Sequence, residues 1–94
     1  MADDETGAEE AWGRYAGAFG MNLQRLRIAR NLSQEDVAYQ SGLSRASYQR
    51  YERGESSPGT AVNPTLRTLV ALAHTLNVPL SDILPGDPPS VQRR

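Results

Sequence analysis

The fold of this chain is decided by residues 32–54, which read LSQEDVAYQSGLSRASYQRYERG. Ser33 followed by Asp36 is a variant of the capping box that opens a helix. We expect this helix to run to about Ser41. It should stop at Gly42, because glycine readily adopts the left-handed backbone that ends helices.

A second short helix follows almost at once. Ser44 is a good N-cap residue, and Gly54 offers the next left-handed stop, so the helix is expected between them. Two short helices joined by three or four residues centred on a glycine are typical of a helix-turn-helix. Helical hairpins are common, however, so the stronger evidence must come from the second helix itself.

The side chains of the helix between Ser44 and Gly54 separate into two faces on a helical wheel at ~100° per residue. One face is rich in hydrogen-bonding groups and comprises Arg45, Ala46, Gln49, Arg50 and Arg53. The opposite face carries Ser44, Ser47, Tyr48 and Tyr51, and we expect its tyrosines to pack in the core. Arginine can bond guanine, glutamine can bond adenine, and alanine can touch a thymine methyl in the major groove of DNA. An ordinary solvated helix face is the alternative, and the helix-turn-helix context favours base reading.

Both helices begin at residues suited to holding a phosphate. The free N–H groups and the dipole at a helix N-terminus attract anions. We therefore predict that Gln34 and Ser44 contact the DNA backbone, with Arg53 as a third phosphate contact. Such contacts fix the register of the protein on DNA and carry no sequence information.

A helix is also predicted before this segment, from Asn22 to Asn31. Trp12, Tyr15 and Phe19 recur at helical spacing further upstream, but Gly13, Gly17 and Gly20 weaken a helix there by ~1 kcal/mol each. Residues 1–20 are accordingly expected to be an acidic extension that is partly helical or disordered. Its aromatic side chains either fold back onto the first or fifth helix or form part of a dimer interface.

The C-terminal part of the chain continues the helical pattern. Glu55–Val62 is rich in serine, proline and glycine and is expected to be a loop, since no segment alternates like a strand. A fourth helix is predicted with Asn63 as N-cap and Pro64 at its first position. A short fifth helix is expected near Leu80–Leu84, and residues 86–94 should form a flexible tail.

The net charge of −1 at first argues against a nucleic-acid partner. The charges are segregated, however: residues 1–22 carry five acids and one arginine, whereas residues 23–84 carry seven arginines and five acids. Phosphate binding depends on where the cations lie more than on their sum. The second segment therefore remains compatible with DNA.

Several classes of protein are disfavoured by what the sequence lacks. There is no cysteine, only one histidine, and no apolar run of the ~18 residues that span a membrane. The acidic N-terminus does not resemble a secretory signal, so we expect a cytoplasmic protein. With no glycine-rich phosphate loop and no cysteine ligands, we expect neither an enzyme, nor a cofactor, nor a metal site.

Four stretches of the chain together resemble one known family: LSQEDVA (32–38), SGLS (41–44), YERGE (51–55) and NPTL (63–66). This is the phage repressor and Cro-type helix-turn-helix family, also called the Xre family. The resemblance covers about Asn22–Leu84. It implies an all-α, five-helix, lambda-repressor-like bundle over residues 21–85. In that fold the third helix, which here is the helix between Ser44 and Gly54, enters the major groove. Proteins of the family often bind as homodimers to a palindromic operator in double-stranded DNA.

The resemblance also assigns roles to individual positions. The base-reading residues would be Arg45, Ala46, Gln49 and Arg50, and the phosphate contacts would include Gln34 and Ser44. Arg27 and Glu52 match a buried ion pair between helices one and three, which we interpret as structural. Two features depart from the family pattern: the longer loop after the third helix and the acidic N-terminal extension.

The function expected from these observations is sequence-specific transcriptional regulation without an evident small-molecule ligand. Antitoxins and restriction–modification control proteins share the same size and fold, and remain alternatives. A protein-interaction module that has lost DNA binding is an alternative of a different class, because the N-terminus is acidic and the net charge is nearly neutral.

Overall fold

The structure, a computed structural model, describes residues 2–90. Within that range it contains five helices and a two-stranded hairpin. The elements in chain order are α1 (Ala2–Ala29), α2 (Gln34–Gln40), α3 (Arg45–Arg53), β1 (Glu55–Ser57), β2 (Thr60–Ala61), α4 (Leu66–Leu76) and α5 (Leu80–Ile83). The prediction of an all-α bundle with a helix-turn-helix is confirmed, and the hairpin is a small addition to it.

The core takes side chains from every helix. The largest fully buried side chains are Leu23 of α1, Val37 of α2, Tyr48 of α3, Leu72 and Leu76 of α4, and Ile83 of α5. Burying one such side chain contributes roughly 1.5–3 kcal/mol relative to leaving it exposed. Tyr51 is half-buried against this cluster, so the prediction that both tyrosines of α3 pack inward is confirmed.

Local signals in the sequence position α2 and α3 as predicted. The Ser33 hydroxyl accepts a hydrogen bond from the backbone N–H of Asp36 at 2.9 Å, and the Asp36 carboxylate accepts one from the N–H of Ser33 at 3.0 Å. The hydrogen bond from the backbone N–H of Ser33 to this carboxylate, with a smaller contribution from the Ser33 side chain, holds the pKa of Asp36 below its ordinary value. The chain turns at Gly42 with φ of 74°, and α3 ends at Gly54 with φ of 82°.

Helix α1 is much longer than the predicted Asn22–Asn31, which corrects the expected start. Glycines lower helix propensity, but Gly20 lets α1 cross α3 closely, because a Cβ at this position would collide with the carbonyl oxygen of Glu52. Ala16 and Phe19 of the same stretch are buried in the core. This burial outweighs the propensity cost, so the helix continues through the glycines.

The aromatic residues of the extension lie mainly against their own chain. Phe19 is buried, and the Tyr15 hydroxyl donates a hydrogen bond to the carbonyl oxygen of Pro85 at 3.1 Å. Trp12 is 41% exposed and packs edge-on against Tyr15. The predicted tail begins at residue 86, and its last residues, 91–94, lie outside the described part.

The segment after α3 and the start of α4 also differ from prediction. Strands β1 and β2 pair antiparallel where a loop was expected, around a turn in which Gly59 has φ of 81°. These strands are too short for an alternating pattern to be visible in the sequence. Helix α4 is capped by Thr65, whose hydroxyl accepts from the N–H of Thr68 at 3.1 Å, and not by Asn63.

Candidate nucleic-acid interface

Helix α3 presents a polar surface next to a buried one, as the wheel predicted. Arg45, Ala46, Arg50 and Arg53 are exposed, whereas Tyr48 on the other side is fully buried. Gln49 is half-buried. The structure therefore brings the four predicted base-reading residues together on one face, and their contacts with bases stay a prediction.

Arg27 and Glu52 form a two-pronged ion pair between α1 and α3. Arg27 Nε lies 2.5 Å from Glu52 Oε2, and Arg27 Nη2 donates to Glu52 Oε1 at 3.2 Å. The side chains are 13% and 7% exposed, respectively. Arg27 Nη1 also donates to the carbonyl oxygen of Leu32 at 3.1 Å. The pair therefore joins α1, α3 and the chain leading into α2.

The buried tyrosine of α3 completes this ionic centre. The Tyr48 hydroxyl donates to Glu52 Oε2 at 2.6 Å. Burial first, and the adjacent carboxylate second, raise the pKa of Tyr48 far above its ordinary value. The hydrogen bonds that Arg27 donates to Glu52 raise the pKa of Arg27 and outweigh its burial, which would lower it. Both groups therefore keep their protons at any physiological pH.

Gln34 connects the ion pair to Gln49 on the polar face of α3. Its Nε2 donates to Glu52 Oε1 at 2.9 Å, and its Oε1 accepts from Gln49 Nε2 at 3.1 Å. Burial alone would raise the pKa of Glu52, but the hydrogen bonds from Arg27, Tyr48 and Gln34 together outweigh it and lower that pKa. The carboxylate thus stays ionised and remains an acceptor for all three donors.

This chain of hydrogen bonds leaves the Gln49 side chain competent to read a base. An amide has two N–H donors and a carbonyl with two lone pairs. One N–H is used by Gln34, so the second N–H and the carbonyl remain for the N7 and N6 groups of adenine. Sequence reasoning assigned Gln34 to a phosphate and missed this link. No periodicity connects it with residues 15 and 18 positions away.

Ser44 is engaged within its own helix. Its hydroxyl accepts from the N–H of Ser47 and donates to the Ser47 hydroxyl, each at 3.0 Å. The first N–H groups of a helix lack intrahelical partners. A phosphate at this end of α3 would therefore meet backbone N–H groups more readily than the Ser44 side chain.

Arg53 lies in a mixed electrostatic environment. It borders the same cleft as Gln34 and Gln49. It also lines a groove of about 600 Å³ between α1 and the hairpin, shared with Arg14 and three carboxylates, those of Glu9, Glu10 and Glu55. Glu9 and Glu10 of α1 thus lie near Arg53, at the C-terminal end of α3. Their negative charges partly offset the positive charge of the arginines there.

Residues 2–90, which the structure describes, contain neither a membrane-spanning helix nor a cluster of metal ligands. No helix there is long and apolar enough to cross a membrane. The same residues contain no group of three or more histidine, cysteine or acidic side chains that could hold a metal ion.

Comparison with known proteins matches this geometry to a family. A helix-turn-helix family model matches residues 23–83. The cryptic phage CTXphi transcriptional repressor RstR of Vibrio cholerae is 33% identical over 66 residues, which is 70% of this chain and 54% of the repressor. The uncharacterized HTH-type transcriptional regulator YqaE of Bacillus subtilis (strain 168) is 30% identical over 69 residues, 73% of this chain and 54% of that regulator. The chain thus spans about half the length of the curated relatives it matches.

A solved structure is similar over a comparable share of the chain. The restriction-modification controller protein C.AhdI from Aeromonas hydrophila has a TM-score of 0.64 and 33% sequence identity, covering 73% of this chain and 96% of the controller. The family model begins at residue 23, just after the acidic extension, and its range includes Arg27, Gln34, Gln49 and Glu52 of the hydrogen-bond network. The chain is therefore a member of the helix-turn-helix family of the phage repressor and Cro type, the Xre family.

Proposed function

We propose that this chain is a sequence-specific DNA-binding transcriptional regulator that reads the major groove with the helix of residues 44–53. The observation that carries this proposal is the face of α3 with Arg45, Ala46, Gln49 and Arg50. The first, second and fourth are exposed, and Gln49 is held by Gln34 with its remaining amide groups available. The transcriptional repressor and the transcriptional regulator to which the chain is similar support the same function, which would be exercised in the cytoplasm.

We further propose that the protein binds a palindromic operator as a homodimer. Leu66 and Val70 lie one turn apart on α4 and are 70% and 53% exposed. An exposed apolar stripe on a small domain is a common mark of a protein interface. A second copy bound through this stripe would present two reading helices to half-sites about one helical turn apart. Light scattering of the purified protein, compared with a Leu66→Glu variant, tests this point.

A narrower version of the function is favoured by the structural match. Because C.AhdI is matched over nearly its whole length, control of a restriction–modification system is the second candidate. It predicts the same DNA-reading face and differs in which operator is bound. The sequence selected by the protein distinguishes it from a phage-type repressor.

The test is selection of binding sites from a random duplex library at about 0.15 M salt. We expect one enriched motif, arranged as an inverted repeat. An Arg45→Ala/Arg50→Ala variant should lose that motif, since each good arginine–guanine pair contributes ~1–3 kcal/mol of discrimination. The matched control, Arg25→Ala/Arg30→Ala, removes the same charge from exposed positions on and just after α1 and should keep the motif. A folded wild-type protein that enriches no sequence would instead favour a protein-interaction module.

A further inference from the structure

An apolar pocket of about 230 Å³ lies between the extension of α1 and the start of α4. Helix α1 contributes Trp12, Tyr15 and Phe19 to its lining, and the chain around the start of α4 contributes Val62, Asn63 and Leu69. The family model begins only at residue 23. The aromatic side of this pocket, which we call the Trp12 pocket, therefore belongs to the part of the chain that the family model does not cover.

The side chains of the Trp12 pocket favour a neutral, apolar ligand. Phe19 and Val62 form its inner end and are 3% and 9% exposed, whereas Trp12 and Asn63 are exposed at its mouth. Among the described residues, none of those that line the pocket carries a charge. A charged ligand would lose its hydration there without gaining a counter-charge, which is unfavourable. The pocket thus selects against ions.

The size of the pocket limits its ligand to a single ring. An apolar cavity of ~150 Å³ binds benzene, and drug-sized ligands occupy ~300–1,000 Å³. The Trp12 pocket, at about 230 Å³, lies between these limits. An α-helix with its side chains is ~10–12 Å in diameter, so a helix of a partner protein is too wide to enter. A single ring with one short substituent has the appropriate size.

Aromatic walls and one amide determine which kind of ring suits the pocket. The Trp12 and Tyr15 rings lie edge to face, with centroids 5.5 Å apart and an interplanar angle of 83°. Aromatic rings attract one another in this geometry and in offset stacks, at centroid distances of ~4.5–7 Å. An aromatic ligand beside Trp12 and Phe19 extends this cluster. The exposed amide of Asn63 can both donate and accept a hydrogen bond, which suits a hydroxyl or an amide on the ligand.

We propose that the Trp12 pocket binds a small neutral aromatic molecule, one ring bearing a hydroxyl or an amide. Its ring contacts Trp12 and Phe19, and its polar group is hydrogen-bonded to Asn63. None of the α3 residues, all of which the structure describes, lines the pocket, so the ligand does not compete with DNA for the polar face of α3. The inference goes beyond the proposed function and does not depend on it. A ligand in this pocket joins the extension of α1 to the start of α4.

The test is a titration of the full chain with benzyl alcohol, followed by the emission of Trp12, the only tryptophan of the chain. Because a single ring buries little surface, we expect a saturable change with a dissociation constant on the order of 1 mM. A ligand that binds only the folded state also stabilises it, so ten times that concentration should lower the unfolding equilibrium constant about elevenfold. Benzoate, which has a similar ring and a negative charge, should produce neither effect.

Two variants on α1 locate the binding site. Ala16 lines the pocket, so Ala16→Leu places a larger side chain inside it and should abolish the saturable change. The matched control is Ala18→Leu, the same substitution at a half-buried position of α1 outside the pocket, which should bind as the wild type does. Unchanged binding by a folded Ala16→Leu protein would overturn the inference.

Asn63→Ala keeps the inference testable if Ala16→Leu does not fold, because position 63 is exposed. Loss of one hydrogen bond should weaken the binding of benzyl alcohol roughly threefold to tenfold. The binding of toluene, which has no hydroxyl, should not change. Equal binding of benzoate and benzyl alcohol, no saturable change, or an Asn63→Ala variant with wild-type affinity would each overturn the inference. Trp12 emission that changes on dilution of the protein alone, with no effect of benzyl alcohol, would assign the pocket to a second copy of the chain instead.

Discussion

Replacing Glu52 with glutamine removes the charge at the centre of the α1–α3 contact while keeping its shape. The Arg27 guanidinium, 13% exposed, would lose its counter-charge. The hydroxyl of the fully buried Tyr48 would keep a weaker, neutral acceptor. Breaking a buried pair costs ~3–5 kcal/mol. Since this pair is not fully buried and the amide still accepts hydrogen bonds, we expect a loss of about 2–3 kcal/mol in the free energy of unfolding.

Such a loss is large for a domain of this size, whose total stability should be ~5–14 kcal/mol. It corresponds to a fall in Tm of roughly 8–24 °C. Urea unfolding followed by circular dichroism measures it, and an Arg27→Gln variant with the double variant completes a mutant cycle. A loss below ~0.5 kcal/mol, or additive single effects, would show that the pair behaves like a surface ion pair and would refute the reasoning.

Three further predictions concern the same scaffold. Gly13→Ala should stabilise α1 by up to ~1 kcal/mol, because apart from the adjacent residues and the helix's own backbone no atom lies within 4 Å of the added Cβ. Gly20→Ala should instead destabilise the protein by ~1–3 kcal/mol, because its Cβ would clash with α3. Urea unfolding of both variants measures these opposite changes in the free energy of unfolding. Because the folded pKa of Glu52 is lowered, its stabilisation is present above the ordinary glutamate pKa of ~4.3 and is lost as the pH falls through the lower folded value. The stability difference between wild type and Glu52→Gln should therefore narrow as the pH falls below about 4.3, and an unchanged difference would contradict the assigned charge. Tyr15→Phe should cost ~1 kcal/mol by removing the hydrogen bond to Pro85, measured in the same assay; no loss would mean that water replaces this contact.

The helix-turn-helix could be predicted from the sequence because its signals are local. The capping residues Ser33 and Ser44 and the stop signals Gly42 and Gly54 act within one turn of the backbone they control. The two faces of α3 follow from the helical period alone. These features depend on no distant contact, so the predicted bounds of α2 and α3 agree with the structure to within a residue.

The length of α1 and the hairpin could not be predicted because distant contacts determine them. Gly17 and Gly20 disfavour a helix locally. The requirement for glycine at position 20 comes from the close approach of Glu52 of α3, which leaves no room for a Cβ. In the same way, the hairpin is held by the burial of Val62 against α1, which no local pattern reveals. The hydrogen bonds of Gln34 belong to this class as well, since they join residues 15 and 18 positions apart.

The network around Glu52 makes the proposed base-reading residues of α3 physically unequal. Gln49 is tied through Gln34 to an ion pair of the core, so much of its side-chain freedom is lost on folding. Arg45 and Arg50 are exposed, and each must be ordered when DNA binds, at ~0.5–1.5 kcal/mol per side chain. The contact made by Gln49 should therefore cost less entropy and tolerate less displacement. It follows that a change at Arg27 or Glu52, which lie outside the proposed base-reading face, should alter sequence preference through Gln34. Its effect should fall on the base that Gln49 is proposed to contact.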